Sequence, residues 1–283
     1  MILPDLVLPS HSNQRWPTQG IDSREHCGNR VRFDSYAWPI EYVYNSRGFR
    51  DVEWPHTSTE LKNAVWCVGD SFTSGTGCPE SHRWSNKLQS QGYSTINVAM
   101  DGASNQWIAR AVQQIDQAVS PANIVVMWSY THRREQPDSN LDSAQRRLHY
   151  VKSTVAQDWQ NFLDCRQQIS DCKANIVEFA VPQFHPIDLV TMYNDWNSVR
   201  SDQWPKNPPN TVEELMNLPP WILKEIQHQD QWFNVFYEHL SCSDYLSQHN
   251  ITLVEIQDLA RDGHHFDRIT ADWVVLRIVP RLA

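Results

Sequence analysis

The chain has 283 residues, 40% of them hydrophobic, and carries 33 Asp and Glu against 24 Lys and Arg, for a net charge of -9 with neutral histidines. A chain of this size buries roughly 75% of its unfolded surface, so one large core without disulfide or metal staples is expected, and one domain with insertions rather than two. The acidic balance excludes nucleic acid as the main partner, because phosphate binding needs a concentrated cationic surface; Arg133-Arg134 and Arg146-Arg147 are too local to supply one.

Residues 1–60 are rich in Pro, Asn, Ser and aromatics and show no sustained helical period, so they read as an extended N-terminal arm with turns. One turn is expected around Gly48, in Asn45-Ser46-Arg47-Gly48-Phe49-Arg50. Regular structure starts at Ala64–Gly69, a short apolar run ending in Gly that suits a strand buried on both faces. The pattern then predicts a helix over Ser81–Gln91 and a second strand over Ser94–Ala99. Ser104 is placed to cap a helix running to about Val119 with Trp107, Ile108, Ala111, Val112 and Ile115 on one stripe. A third strand is expected over Asn123–Trp128, a long helix from about Leu141 to Cys172, and a fourth strand over Asn175–Val181. Residues 182–220 are crowded with Pro and Trp and read as an inserted cap. Helical pattern returns over Trp221–Gln248, followed by a fifth strand at Ile251–Ile256 and a closing helix at Ile269–Val279.

Strands alternating with helices predict a three-layer α/β/α sandwich around a mainly parallel five-stranded sheet. Residues 61–283 form this domain and residues 1–60 the arm. No window approaches the roughly 18 consecutive apolar residues of a membrane helix, and the start Met1-Ile2-Leu3-Pro4-Asp5 lacks the pattern of a secretory signal. No membrane contact is expected, and the location implied is cytoplasmic, with virion association as the alternative. The six cysteines, Cys27, Cys67, Cys78, Cys165, Cys172 and Cys242, are then read as mostly reduced thiols. Their spacing does not make a zinc site.

Ligands of such sheets sit beyond the carboxyl ends of the strands, which directs attention to two loops. The first reads Val68-Gly69-Asp70-Ser71-Phe72-Thr73-Ser74-Gly75 and lacks the Gly-Lys-Ser/Thr ending of a P-loop. A serine just after a buried strand presents its hydroxyl and backbone N–H to a ligand; the plainer alternative is a turn that caps a helix. The last loop reads Arg261-Asp262-Gly263-His264-His265-Phe266. An Asp three residues before a His, across a Gly turn, sets its carboxylate against imidazole Nδ1 and frees Nε2 to act as a base. A metal pair formed by His264 and His265 with Asp262 or Asp267 is the alternative.

Together the two blocks, in chain order Ser, Asp, His, resemble the SGNH/GDSL hydrolase family over residues 64 to about 279. The Asn45-Ser46-x-Gly48-Phe49-Arg50 segment is similar to one that precedes the nucleophile block in some members. The resemblance implies a flavodoxin-like SGNH fold, with Ser71 as nucleophile, His265 as general base and then acid, and Asp262 orienting His265. Asn97-Val98-Ala99-Met100-Asp101-Gly102 resembles the second block and gives Gly102 an oxyanion-binding role; a turn glycine is the structural alternative.

The third block departs from the family's Gly-x-Asn-Asp. Here Ser129 stands at the Gly and Thr131 at the Asn of Trp128-Ser129-Tyr130-Thr131-His132-Arg133. Thr131 is the assigned replacement donor, with Asn105 and His132 as alternatives. Arg133 and Arg134 are candidates to hold a substrate carboxylate or to lie in a solvated loop, and His185 is placed at the site edge. Trp66, Trp107, Trp128, Trp159 and Trp273 fall in regular elements and are assigned to the core, whereas Trp196, Trp204 and Trp221 are candidates for stacking on sugar rings.

The implied activity is hydrolysis of a small acyl ester, acetyl included, through an acyl-serine intermediate, with a small-molecule or carbohydrate ester as substrate and no metal or organic cofactor. Two alternatives remain: an O-acyltransferase using the same triad, and a non-catalytic part of a homo-oligomer or of a viral or other macromolecular assembly.

Overall fold

The computed structural model describes residues 6–27, 30–131, 133, 135, 155–181 and 245–283. In chain order the arm contributes β1 (Arg15–Trp16), α1 (Arg30–Ser35) and β2 (Tyr42–Val43), and α2 (Ser58–Asn63) spans its junction with the domain. The rest follows as β3 (Val65–Gly69), α3 (Ser71–Ser74), α4 (Trp84–Ser90), β4 (Thr95–Ala99), α5 (Asn105–Val119), β5 (Asn123–Trp128), α6 (Val155–Gln168), β6 (Asn175–Ala180), β7 (Thr252–Leu253) and α7 (Arg268–Ile278). Strands β3 to β7 form a five-stranded sheet in the order β4-β3-β5-β6-β7, and every neighbouring pair is parallel.

The period of two along each strand explains the layers. Trp66, Val68, Ile96, Val98, Ile124, Val126 and Trp128 point to one face, where they pack with Ile108, Val112 and Ile115 of α5 and Phe162 and Cys165 of α6. Val65, Cys67, Val125, Met127, Val177 and Phe179 point to the other, against Trp84 and Leu88 of α4 and Val274, Val275 and Ile278 of α7. Both faces are covered, so the strands read as continuous apolar runs. The result is an α/β/α sandwich.

Residues of the arm share the first core: Leu6, Leu8, Phe49 and Trp54 join the cluster that holds Trp66. Short elements replace a fully extended course. Thr57 caps α2, its side chain accepting from the Glu60 N–H at 3.2 Å. At the expected turn, Gly48 N–H donates to Asn45 O at 2.9 Å with a left-handed φ of +83°. Asn45 Oδ1 accepts from the Arg47 and Phe49 N–H groups inside it.

Three boundaries differ from the sequence expectation. The helix expected over Ser81–Gln91 is split, because Arg83 adopts an extended ψ of 134° between a 3-10 turn at Glu80–His82 and α4. Helix α6 ends at Gln168 rather than Cys172, its last turn tightening into bonds such as Ile169 N to Arg166 O and Cys172 N to Ile169 O. The fifth strand is two residues long. Strand β6 ends at Ala180, which pairs with Leu253, so after the Val254 N–H to Ala180 O bond the described residues offer no further strand to pair with. A few residues on, the amides of Gln257 and Asp258 donate to the Thr270 hydroxyl. The cap at 182–220, residues 141–154 of the long helix and residues 221–244 lie outside the described residues; positions 245–248 are helical.

Candidate active site

Strand β3 delivers Ser71. Its last residue, Gly69, has no room for a side chain: an added Cβ would stand 2.2 Å from Thr73 Oγ1 and 2.9 Å from Met127 O. Asp70 then caps α3, accepting from Phe72 N–H at 3.0 Å, and Ser71 is the first residue of that short helix. Gly75 closes it in a left-handed conformation with φ +75°.

The His265 loop is fixed from inside. Asp262 Oδ1 accepts from the backbone N–H of His264 at 2.9 Å and of His265 at 3.0 Å. Ala260 N–H donates to His265 O at 2.7 Å and Gly263 N–H to Ala260 O at 3.0 Å. This turn sets His265 Nδ1 2.6 Å from Asp262 Oδ2 and His265 Nε2 2.8 Å from Ser71 Oγ. The Phe72 ring packs against His265 with centroids 4.6 Å apart. The three residues are only 5%, 1% and 3% exposed for Ser71, Asp262 and His265.

Burial lowers the His265 pKa, but the Asp262 charge and hydrogen bond, helped by Asp101 and Asp70, outweigh it and hold the imidazole above its usual value. Burial raises Asp262, yet the His265 charge and bond, with His264, hold its carboxyl below the usual carboxylate range. Both ring nitrogens of His265 are thus engaged by Ser71 and Asp262. Asp267, the alternative metal ligand, is instead bound by His82 Nδ1 at 2.7 Å and the Tyr36 hydroxyl at 2.6 Å, and His264 Nε2 lies 3.1 Å from the Tyr130 hydroxyl.

Gly102 sits in a turn in which Ala103 N–H donates to Met100 O at 2.9 Å, and its φ of +72° is the left-handed conformation a glycine accepts without strain. The neighbouring Asp101 ties this turn to the nucleophile helix, its Oδ1 accepting from Ser74 Oγ at 3.0 Å and Thr76 Oγ1 at 2.8 Å. Thr131 is buried in the turn after β5, which the Arg133 N–H to Tyr130 O bond of 3.2 Å closes.

Asn105 is committed elsewhere: its Oδ1 accepts from Ser129 N–H at 2.8 Å and its Nδ2 donates to Ser129 O at 3.1 Å. Arg133 is partly buried, and its Nη1 is committed within the protein, pairing with Asp70 Oδ2 at 2.7 Å and donating to Ser129 Oγ at 2.8 Å. His132, Arg134, His185, Trp196, Trp204 and Trp221 lie outside the described residues. Of the tryptophans assigned to the core, Trp66, Trp107 and Trp128 are buried, and Trp159 and Trp273 are partly buried against the two clusters. Sequence reasoning missed Gln19, Asp22 and Tyr42 of the arm, which reach the site loops; nothing local marks them.

The fold and site define an α/β protein with a serine–histidine–aspartate constellation at the carboxyl edge of its sheet. No protein-family model matches the sequence, and no curated protein does. Its structural neighbours are lipases, esterases and acylhydrolases of the SGNH/GDSL kind. A GDSL-like lipase from Bacteroides thetaiotaomicron is 12% identical with a TM-score of 0.39, over 81% of this chain and 91% of that one. The psychrotrophic esterase EstA from Pseudoalteromonas sp. is 10% identical with a TM-score of 0.40, over 77% and 96%. AlinE4, an SGNH-hydrolase family esterase, is 13% identical with a TM-score of 0.29, over 66% and 96%.

Proposed function

We propose that this protein is a serine ester hydrolase of the SGNH/GDSL type, acting on a small acyl ester through an acyl-serine intermediate. The observation that carries the reading is the continuous path from Ser71 Oγ to His265 Nε2 at 2.8 Å and from His265 Nδ1 to Asp262 Oδ2 at 2.6 Å. A weak nucleophile needs an oriented base, and this is that geometry.

In the reaction so read, Ser71 Oγ attacks the ester carbonyl carbon while its proton passes to His265 Nε2. The resulting imidazolium is stabilised by Asp262. Charge on the carbonyl oxygen is taken by the N–H groups of Ser71 and Gly102, with the Thr131 hydroxyl in the place of the family's Asn donor. His265 returns the proton to the leaving alcohol as the C–O bond breaks, leaving an acyl ester on Ser71. Water then attacks that ester as its proton passes to His265; the acyl group leaves as the carboxylic acid, and His265 returns the proton to Ser71 Oγ. The chain's own groups supply every proton transfer in this scheme. Acetyl esters of carbohydrates are the finer substrate reading, supported by Trp196, Trp204 and Trp221 in the sequence.

A fluorophosphonate serine probe tests the reading on wild type, Ser71→Ala and His265→Ala. Labelling of the wild type that disappears in both variants is expected, together with hydrolysis of p-nitrophenyl acetate that follows the same order. An unlabelled wild type with an intact fold overturns it.

A further inference from the structure

Tyr42 and Asp22, in the arm, close a ring of hydrogen bonds with two residues of the site loops. The Tyr42 hydroxyl donates to Asp22 Oδ2 at 2.5 Å and accepts from Gly77 N–H at 2.8 Å. Asp22 accepts from Arg261, Nε at 2.9 Å and Nη2 at 2.7 Å. Arg261 N–H donates back to Gly77 O at 2.9 Å. Both backbone polar groups of Gly77 are therefore held within the ring, and Arg261 is the residue just before Asp262.

Gly77 bears directly on the Asp262 carboxyl group. A Cβ added to it would lie 2.9 Å from Asp262 Cγ and 2.9 Å from Ala260 Cβ, and its φ of +78° is left-handed. The Gly77 backbone thus forms the wall against which the Asp262 carboxylate rests. Asp22 and Tyr42 are both fully buried, so their bond to each other is shielded from solvent, while the Arg261 side chain is 14% exposed; the Arg50 guanidinium covers the Tyr42 ring at 4.3 Å. A second thread runs from the same segment: Gln19 Nε2 donates to Asp101 Oδ2, beside Gly102. Residues 19 and 22 are themselves joined, Asp22 N–H donating to Gln19 O at 2.9 Å.

We propose that Tyr42 and Asp22 are positioning residues of the catalytic apparatus: through Gly77 and Arg261 they hold Asp262 in register with His265, and through Gln19 they tie that loop to the oxyanion loop. The arm then acts as a frame that spans the two halves of the site. This inference rests on the serine-hydrolase reading given above. Tyr42 touches no reacting atom; its effect passes through the orientation of Asp262.

The test uses the full chain with Tyr42→Phe, which keeps the ring and removes the hydroxyl, and Asp22→Asn, which keeps the shape and removes the charge facing Arg261. Folding is checked by circular dichroism and thermal melting, and the rate of Ser71 labelling by a fluorophosphonate is followed from pH 5 to 9. Displacing a catalytic group by about 1 Å costs on the order of 100-fold, so a labelling rate lower by about 10-fold or more is expected in both variants. The pH midpoint should also fall toward the ordinary histidine value of 6.5, because a loosened Asp262 no longer holds the His265 proton. A loss confined to structure would leave that midpoint where the wild type has it. Wild-type rates and midpoint in either folded variant overturn the inference while leaving the hydrolase reading intact. Absence of labelling in the wild type instead brings down the hydrolase reading itself.

Discussion

The Arg133 guanidinium stands 2.7 Å from the carboxylate of Asp70, the residue immediately before Ser71. Asp70 has no solvent exposure, and its oxygens also receive the Phe72 N–H and the Ser129 hydroxyl. An uncompensated anion one residue from the nucleophile opposes the build-up of negative charge on a substrate carbonyl. On the proposed hydrolase reading Arg133 offsets that charge, so the segment after β5, which departs from the Gly-x-Asn-Asp pattern of the family the sequence resembles, brings a cation.

Replacing Arg133 by Met leaves the Asp70 carboxylate buried without its cation, a change that costs about 3–5 kcal/mol in comparable buried pairs. Urea denaturation should show a loss in that range, and Arg133→Lys should recover part of it by restoring the charge without the planar fork. Ser71 labelling should slow in the Met variant by more than in the Lys variant. Equal stability of Met variant and wild type would show that Asp70 finds other compensation.

On the proposed hydrolase reading, the raised pKa of His265 sets opposite pH trends for activity and stability. Catalysis needs the neutral imidazole, so labelling and ester turnover should rise with pH through a midpoint above 6.5. A group whose folded pKa is raised stabilises the fold below its unfolded pKa and loses that contribution as pH rises through the folded value. The contribution of His265 to stability therefore fades over the same interval in which activity appears. His265→Gln should flatten the pH dependence of the unfolding free energy there.

Asp262→Asn tests the orienting role separately from the charge at Ser71. The amide can keep the bonds from the His264 and His265 N–H groups but offers His265 Nδ1 a donor or an uncharged acceptor. The wrong tautomer costs about 10⁴-fold in turnover in a triad of this geometry. Labelling of Asp262→Asn should fall toward that level with little change in melting temperature, and a drop under tenfold would mean that His265 is oriented by other groups.

What was legible in the sequence follows from how local each feature is. Strands β3 to β6 come out within a residue of expectation because both faces are buried, which writes an apolar run such as Asn123–Trp128 into consecutive positions. Strand β7 does not, since its length is set by where β6 stops. The Ser71 block and the Asp262–His265 block each lie within a few residues and the parallel-sheet rule brings them to one edge. Arg133 is 63 residues from Asp70 and Arg261 is 239 from Asp22. Pairing at such separation leaves no periodicity or motif, so the sequence shows the two arginines and the aspartate of the arm without their partners.

In the proposed mechanism Thr131 supplies the remaining oxyanion donor. Thr131→Val keeps the shape and removes the hydroxyl, so turnover of p-nitrophenyl acetate should fall by roughly 10²-fold, the lower end for losing one oxyanion donor, with KM little changed. Thr131→Ser should retain most activity. Equal turnover in the Val variant would move the third donor to another group.

The edge of the sheet supplies a purely structural prediction. Strand β4 is outermost, and the N–H of Asn97 is received by Asp51 Oδ2 at 2.7 Å. Asp51 also faces Arg83 at 3.5 Å, and the side chains of both are almost fully buried. Asp51→Ala leaves the guanidinium with only the half-exposed Glu80 carboxylate, at 3.7 Å, as an anionic partner among the described residues, and a strand amide without an acceptor. Arg83 retains the Arg50 carbonyl and Asn86 Oδ1, so the loss should sit at the lower end of the usual range for breaking a buried pair, about 3 kcal/mol. Asp51→Asn keeps an oxygen for the Asn97 amide and should cost less. Hydrogen exchange of the Asn97 amide separates the two contributions: it should quicken in the Ala variant and stay protected in the Asn variant, even where both lower the unfolding midpoint.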